Sequence, residues 1–301
     1  MSASNGVWTG QGRRIFLQEV GTRDGLQAEA AFVPTEDKVA LVNALSDAGL
    51  AKIEVTAFVS PKAIPALRDA EQVLREIRRK PGVVYSALVP NVRGAERAID
   101  SRADEMNLVM SATESHNLAN LRMTREQSFA ALVEVAAIAR SAGIAVNVSL
   151  SCTFGCPMEG DVPMQTVLGW CGRYIETLGA HGVTLCDTTG MAFPTQVAEL
   201  TRAFRQRWPA TELTLHFHNT RGMGLANVLQ ASTPAPSVST PPLAASVAVP
   251  TRQVRAVTSA PKRSRTRSRS WATTPASTCH CCWRPRDACR HSSATTSPAR
   301  S

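Results

Sequence analysis

Short strand-like runs return along this chain at intervals of about 30 residues, with helical patterns in the gaps between them. The runs fall at 15–20, 52–58, 83–90, 106–112, 145–151, 183–187 and 213–218. Helical patterns are clearest at 38–45, 130–139 and 197–204, where apolar residues recur at three and four. Gly49 and Gly143 follow the first two of these, as helix C-caps should. Neighbouring parallel strands need a long crossover, so this alternation specifies an α/β protein with a parallel sheet. Seven units point to a (β/α)8 TIM barrel whose eighth strand is missing or replaced by an irregular tail. A doubly wound open sheet is the alternative topology.

A barrel of this kind makes a demand on the sequence, because its chemistry collects at the C-terminal ends of the strands. Arg23 and Asp24 follow the first run, Glu54 lies in the second, and Asn91 follows the third. Ser111 and Glu114 follow the fourth, Ser151 and Cys152 close the fifth, and Asp187 ends the sixth. The seventh run carries His216 and His218. Residues two apart on a strand face the same way, so the two imidazoles can serve one metal ion. Asp24 adds a carboxylate if the fold brings the first and seventh strand ends together.

The net charge of +9 would ordinarily suggest a polyanionic partner. Its distribution argues otherwise. From Ser232 to the end there are 11 Lys and Arg and one acid, Asp287, whereas the preceding 231 residues hold 22 basic and 23 acidic side chains. The expected organisation is therefore a near-neutral, incomplete barrel over 1–231 and a low-complexity basic tail over 232–301, rich in Ser, Thr, Pro and Arg. Residues 262–270 could suggest RNA binding, and Cys279, His280, Cys281 and Cys282 could suggest zinc, although no second pair stands at a recognised spacing. Nucleic acid is not the expected partner. No apolar run approaches the ~20 residues of a membrane helix, and no secretory h-region precedes Ile15. The expected setting is a reduced cytoplasm with no membrane partner.

Several motifs carry a resemblance: Arg23-Asp24-Gly25-Leu26-Gln27, the run from Ile53 to Lys62, and Ser151-Cys152-Thr153-Phe154-Gly155-Cys156-Pro157 with Glu159-Gly160. To these add Asp187-Thr188-Thr189-Gly190 and His216-Phe217-His218-Asn219. Over roughly residues 14 to 230 the chain resembles the lyase branch of the metal-dependent (β/α)8 lyases and aldol-type synthases, specifically the 3-hydroxy-3-methylglutaryl-CoA lyases. The resemblance implies a divalent cation, Mg²⁺ or Mn²⁺, held by Asp24, His216 and His218. It implies an acyl-CoA substrate contacted by Arg23, Gln27, Asn91 and Ser151, and a homodimer as a possible assembly. Arg23 is expected to stabilise a developing enolate, Asp187 to assist proton removal and Glu54 to orient the site. Cys152 and Cys156 read equally well as small buried residues, and His181 as a structural residue at the far end of the barrel.

The family's glycine-rich active-site loop is not visible, and Val249 and Thr258 stand where its catalytic cysteine and fourth metal ligand would fall. Moving the reading frame back by one nucleotide over 244–259, with permitted codons, yields Gly-Gly-Leu-Gly-Gly-Cys-Pro-Tyr-Ala-Pro-Gly-Ala-Ser-Gly-Asn-Val, which is that loop. Residues 271–282 likewise yield Met-Gly-Tyr-Asp-Thr-Gly-Ile-Asp-Leu-Pro-Leu-Leu. The tail is thus expected to be a frame-shifted version of the family's closing segment, and turnover by the chain as written is expected to be impaired.

Overall fold

The computed structural model of the protein describes residues 15–232 and 245–248. Eight strands pair in parallel into a closed barrel in sequence order. They are β1 (Ile15–Glu19), β2 (Lys52–Ala57), β3 (Val84–Leu88), β4 (Glu105–Ser111), β5 (Ala145–Ser151), β6 (Gly182–Asp187), β7 (Glu212–Phe217) and β8 (Ala245–Ala248). The helices are α1 (Thr35–Asp47), α2 (Ala70–Glu76), α3 (Val92–Asp100), α4 (Glu114–Leu121), α5 (Arg125–Ser141), α6 (Met164–Arg173), α7 (Pro194–Arg207) and α8 (Gly224–Ser232). The (β/α)8 reading of the alternation therefore holds, and the open doubly wound sheet does not.

The sequence shows no eighth strand, but the structure places a short one. Residues Ala245–Ala248 lie parallel between β1 and β7, with Ile15 opposite Ala245 and Leu213 opposite the same residue. The strand is only four residues long, in a seven-residue stretch between Pro242 and Pro250, too short to carry a readable period. Two facing strand edges with unpaired backbone groups are a strong driving force for any extended segment within reach. The rest of the segment expected to be a basic tail lies outside the described residues, as do Val249, Thr258 and the cysteines from Cys279 onward.

Helix α5 shows how sequence builds the outer layer. Thr124 and Gln127 form a reciprocal capping box at its start, with Gln127 N–H donating to Thr124 Oγ1 and Thr124 N–H to Gln127 Oε1. Phe129, Leu132, Val135, Ala136 and Ala139 then recur at helical spacing and are all buried. Phe129 meets Trp170 of α6 at a ring-centroid distance of 5.9 Å. Truncating Leu132 to alanine would cost about 2–5 kcal/mol at such a site.

Every residue of β2 is buried, as expected of a strand with a helical layer outside and a barrel interior within. Inside the barrel the inward positions of several strands are polar rather than aliphatic. At the N-terminal end, Lys52 Nζ donates to Glu105 Oε1 and Oε2 at 2.9 and 2.7 Å and to Glu212 Oε1 at 2.8 Å. Since β2 is adjacent to neither β4 nor β7, these bonds must cross the barrel's interior and form its floor. Burial opposes the Lys52 charge, but Glu105 and Glu212 more than offset that and raise its pKa. Near the middle, the β2–β3 register slips between Glu54 and Thr56, a bulge that re-aims the strand next to the opposite rim.

Candidate active site at the C-terminal rim

The rim begins where β1 ends. Residues Gly21–Gly25 form a single π-type turn in which Arg23 and Asp24 both donate their backbone N–H to Val20 O, at 3.0 and 2.6 Å. Thr22 Oγ1 donates to Glu54 O at 2.7 Å and ties this turn to β2. Arg23 is thereby directed inward. Its Nε and Nη2 reach Glu54 Oε2 at 2.9 and 2.8 Å, and its Nη1 reaches Asp24 Oδ1 at 2.8 Å. Burial would weaken the guanidinium charge, yet Glu54 and Asp24 outweigh it and raise the pKa. The cation is permanent and its direction is fixed.

On the seventh strand end, His216 and His218 bring their Nε2 atoms to 3.2 Å from each other, with ring centroids 5.0 Å apart. His218 Nε2 also lies 3.7 Å from Asp24 Oδ2. Ligand atoms of Asp24, His216 and His218 all fall within 4.8 Å of one another, a group that could hold a metal ion. The first and seventh strand ends do converge, as the sequence required. Burial pushes the His216 imidazole down to about 3, with Asp24 pulling the other way. It is therefore a neutral ring with a lone pair to give. One carboxylate and two imidazoles form a mixed O/N donor set that fits a hard divalent cation in an open site.

Asp187 closes β6 beside them and is 1 % exposed. Its Oδ1 accepts the Met191 N–H at 2.7 Å, while its Oδ2 is buried with no hydrogen-bond partner among the described residues. Burial raises its pKa against the opposing backbone bonds and the nearby His218. A carboxyl with raised proton affinity and an unused oxygen is suited to take up a proton. Its turn depends on Gly190, which has φ +71°. A Cβ there would stand 2.1 Å from Thr220 Oγ1 and 3.0 Å from His218 O, so only glycine lets the β6 and β7 turns pack this closely.

Other expected residues are placed less centrally. Ser151 ends β5 and is buried on the rim side, next to Ser111 in the β4–β5 register. Gln27 is exposed and lines a pocket of about 430 Å³ with Phe32, Ile64 and Arg68. Asn91 is also exposed, and its Oδ1 caps α3 by accepting the Gly94 N–H at 2.9 Å. Glu114 pairs with Arg125 at 2.9 Å across the α4–α5 corner. Cys152 and Cys156 are buried free thiols, the first with φ +57° and burial lifting its pKa to about 12. His181 is exposed at the floor, 3.7 Å from Glu212.

Sequence reasoning missed the polar residues behind the rim. Asn107 donates to Glu54 Oε1 at 2.7 Å and receives Asn147 and Ser149, so Glu54 is bound on both oxygens. The signal was present as period-two polarity in otherwise apolar strands, Glu105 and Asn107 on β4 and Asn147, Ser149 and Ser151 on β5. Read as ordinary strand alternation it suggests a solvated face. Only closure of the barrel turns that face into an interior.

A closed parallel barrel with an arginine, three carboxylates and two imidazoles gathered at its C-terminal rim defines an enzyme site of the (β/α)8 class. Comparison with known proteins narrows the class. The family described as HMGL-like matches residues 14–234, and the chain belongs to that family. It is 44% identical over 222 residues to the hydroxymethylglutaryl-CoA lyase of Bacillus subtilis, covering 73% of each chain. It is 38% identical over 216 residues to a Pseudomonas aeruginosa protein named 3-hydroxy-3-isohexenylglutaryl-CoA/hydroxy-methylglutaryl-CoA lyase, covering 72% of each. Among solved structures, an HMG-CoA lyase from Acinetobacter baumannii in complex with coenzyme A and 3-methylmalate superposes with a TM-score of 0.70 at 44% identity. That match covers 78% of this chain and 74% of the other.

Proposed function

We propose that the chain is a divalent-metal-dependent carbon–carbon lyase that cleaves 3-hydroxy-3-methylglutaryl-CoA to acetyl-CoA and acetoacetate. The observation that carries this reading is the convergence of Asp24, His216 and His218 beside the Arg23–Glu54 pair and Asp187, in a chain of the HMGL-like family. Asp24, His216 and His218 would hold Mg²⁺ or Mn²⁺. Such an ion, when bound, would make the substrate's C3 hydroxyl easier to deprotonate. Asp187 takes up that proton on its raised-pKa carboxyl, through His218 or directly. As the C2–C3 bond breaks, Arg23 lies against the oxygen that gains charge in the enolate of the acetyl thioester. Glu54 keeps the guanidinium in place. Ser151, Gln27 and Asn91 contribute substrate contacts.

The same reading places the protein in leucine breakdown, in the cytoplasm, with an acyl-CoA as its small-molecule partner and a homodimer as its assembly. No helix among the described residues is long and apolar enough to cross a membrane. A longer-chain 3-hydroxyglutaryl-CoA is a second substrate reading, favoured by the doubly named Pseudomonas relative.

The family match stops at residue 234, within three residues of the change in composition after Ala231. That coincidence supports the frame-shift reading of 232–301, with the catalytic cysteine and fourth metal ligand restored in the alternative frame. Two tests follow. The coding strand, read one nucleotide out of phase from about codon 232, should stay open and encode Gly-Gly-Leu-Gly-Gly-Cys-Pro-Tyr; an early stop codon there would end the frame-shift reading. The frame-restored chain should release acetoacetate and acetyl-CoA in equal amounts from the thioester, while the chain as written releases negligible acetoacetate. A frame-restored chain that folds and gives no acetoacetate would refute the lyase assignment.

A further inference from the structure

Glu54 lies inside the barrel at 1 % exposure, and its two oxygens are held from opposite sides. Oε2 receives Arg23 Nε and Nη2 at 2.9 and 2.8 Å, and Oε1 receives Asn107 Nδ2 at 2.7 Å. The Asn107 amide cannot turn over, because its Oδ1 accepts from Asn147 Nδ2 at 2.8 Å and from Ser149 Oγ at 2.9 Å. Asn147 Nδ2 also donates to Thr184 Oγ1 at 2.8 Å. A chain of bonds therefore crosses the barrel from β6 through β5 and β4 to β2 and ends on Arg23. Its direction is set by chemistry, since an ionised carboxylate only accepts and the group facing it must be the amide nitrogen.

We infer that Asn107 is a positioning residue for the rim site: by holding Glu54 Oε1 it fixes the Arg23 guanidinium between Glu54 and Asp24. The inference rests on reading the rim as a metal-dependent site. Arg23 faces two carboxylates and divides its donors unequally, two nitrogens on Glu54 and one on Asp24. That division lasts only while the Glu54 carboxylate cannot rotate. Without Asn107, Oε1 loses its donor in a buried site, the carboxylate turns, and Arg23 shifts toward Asp24. There it competes with a cation for the same oxygens. Asn107 thus keeps Asp24 a ligand while Arg23 touches it through Nη1 and holds Glu54 with its other two nitrogens.

The test uses the full chain and Mn²⁺ alone, titrated by electron paramagnetic resonance. Asn107→Ala should weaken Mn²⁺ binding about tenfold, the usual scale for a residue supporting a ligand. In a Glu54→Gln background the same change should weaken it less than twofold, because Asn107 acts through Glu54. Asn107→Ser, too short to reach Oε1 but able to keep the interior hydrated, should behave alike and covers the case in which the alanine variant does not fold. Lys52→Met at the floor should lower the melting temperature without moving Mn²⁺ affinity, which separates positioning from general loosening. Unchanged affinity in a folded Asn107 variant, or an equal loss in both backgrounds, would overturn the inference. If the parent binds no Mn²⁺, the metal reading fails first. NMR of the Arg23 Nε–H then decides the inference, which predicts slow exchange in the parent and fast exchange in Asn107→Ala, and equal exchange in both would refute it.

Discussion

At the N-terminal ends of the strands, Lys52 places all its bonds on Glu105 and Glu212 at 2.7–2.9 Å. At the C-terminal ends, two imidazole nitrogens face each other at 3.2 Å, and Asp187 Oδ2 is buried with no hydrogen-bond partner. Both ends are polar and largely buried, and β2 and β7 contribute to each, through Lys52 and Glu54 and through Glu212 and His216. The floor satisfies its own charges, whereas at the rim, among the described residues, Asp187 Oδ2 is left as an acceptor without a hydrogen-bond donor. Buried charges that satisfy one another are costly to break, whereas groups with perturbed proton affinity and unused acceptors are where chemistry tends to occur. This contrast accords with the usual division of a (β/α)8 barrel into a stable end and a working end.

The contrast can be broken in four ways. The largest effect should come from His216→Ala in the frame-restored chain. It should abolish metal-dependent acetoacetate release while leaving the metal-free melting temperature within a few degrees of the parent, and retention of more than a tenth of the activity would remove His216 from the ligand set. Lys52→Met should do the reverse. It leaves the buried Glu105 and the partly exposed Glu212 without their cation, at a cost of about 3–5 kcal/mol, read by denaturant unfolding. Its deficit should also grow with pH. Burial already holds the Glu105 pKa above the ordinary 4.5, so the folded state keeps that proton better than the unfolded chain does. The associated stability is present below pH 4.5 and lost as pH rises through the folded value. Removing Lys52, which lowers that pKa, enlarges the loss. A variant equally stable at pH 5 and pH 7 would contradict this.

Asp187→Asn comes next. It keeps an oxygen to accept the Met191 N–H but loses the proton acceptor, so kcat should fall by ~10²–10⁴-fold with little change in KM. A matching loss in Mn²⁺ affinity would instead make Asp187 a ligand. The smallest effect is expected for His181→Ala. The ring is 64% exposed and only 3.7 Å from Glu212, so stability should change by less than ~0.5 kcal/mol and activity hardly at all.

Much of this is legible in the amino-acid sequence. The seven strand positions follow from period and punctuation, and Arg23, Asp24, Glu54, Asp187, His216 and His218 from their places at strand ends. What the sequence could not supply was contact between strands far apart in the chain. Asn107 is an ordinary polar residue until β4 faces β2 across a closed interior, and Lys52 is an ordinary surface lysine until Glu105 and Glu212 surround it. Asn91 shows another limit, since the sequence does not reveal that this exposed strand-end residue also caps α3. The strand Ala245–Ala248 has no pattern of its own and exists because two edges await it.

The central claim is that the rim, and not the floor, is a divalent-cation site made by Asp24, His216 and His218. Titrating the full chain with Mn²⁺ under electron paramagnetic resonance tests it most directly. The account predicts one bound ion per chain, lost or weakened at least a hundredfold in Asp24→Asn and in His216→Ala, and unchanged in Lys52→Met. Binding that survives both rim substitutions, or that disappears with Lys52→Met in a folded protein, would contradict it.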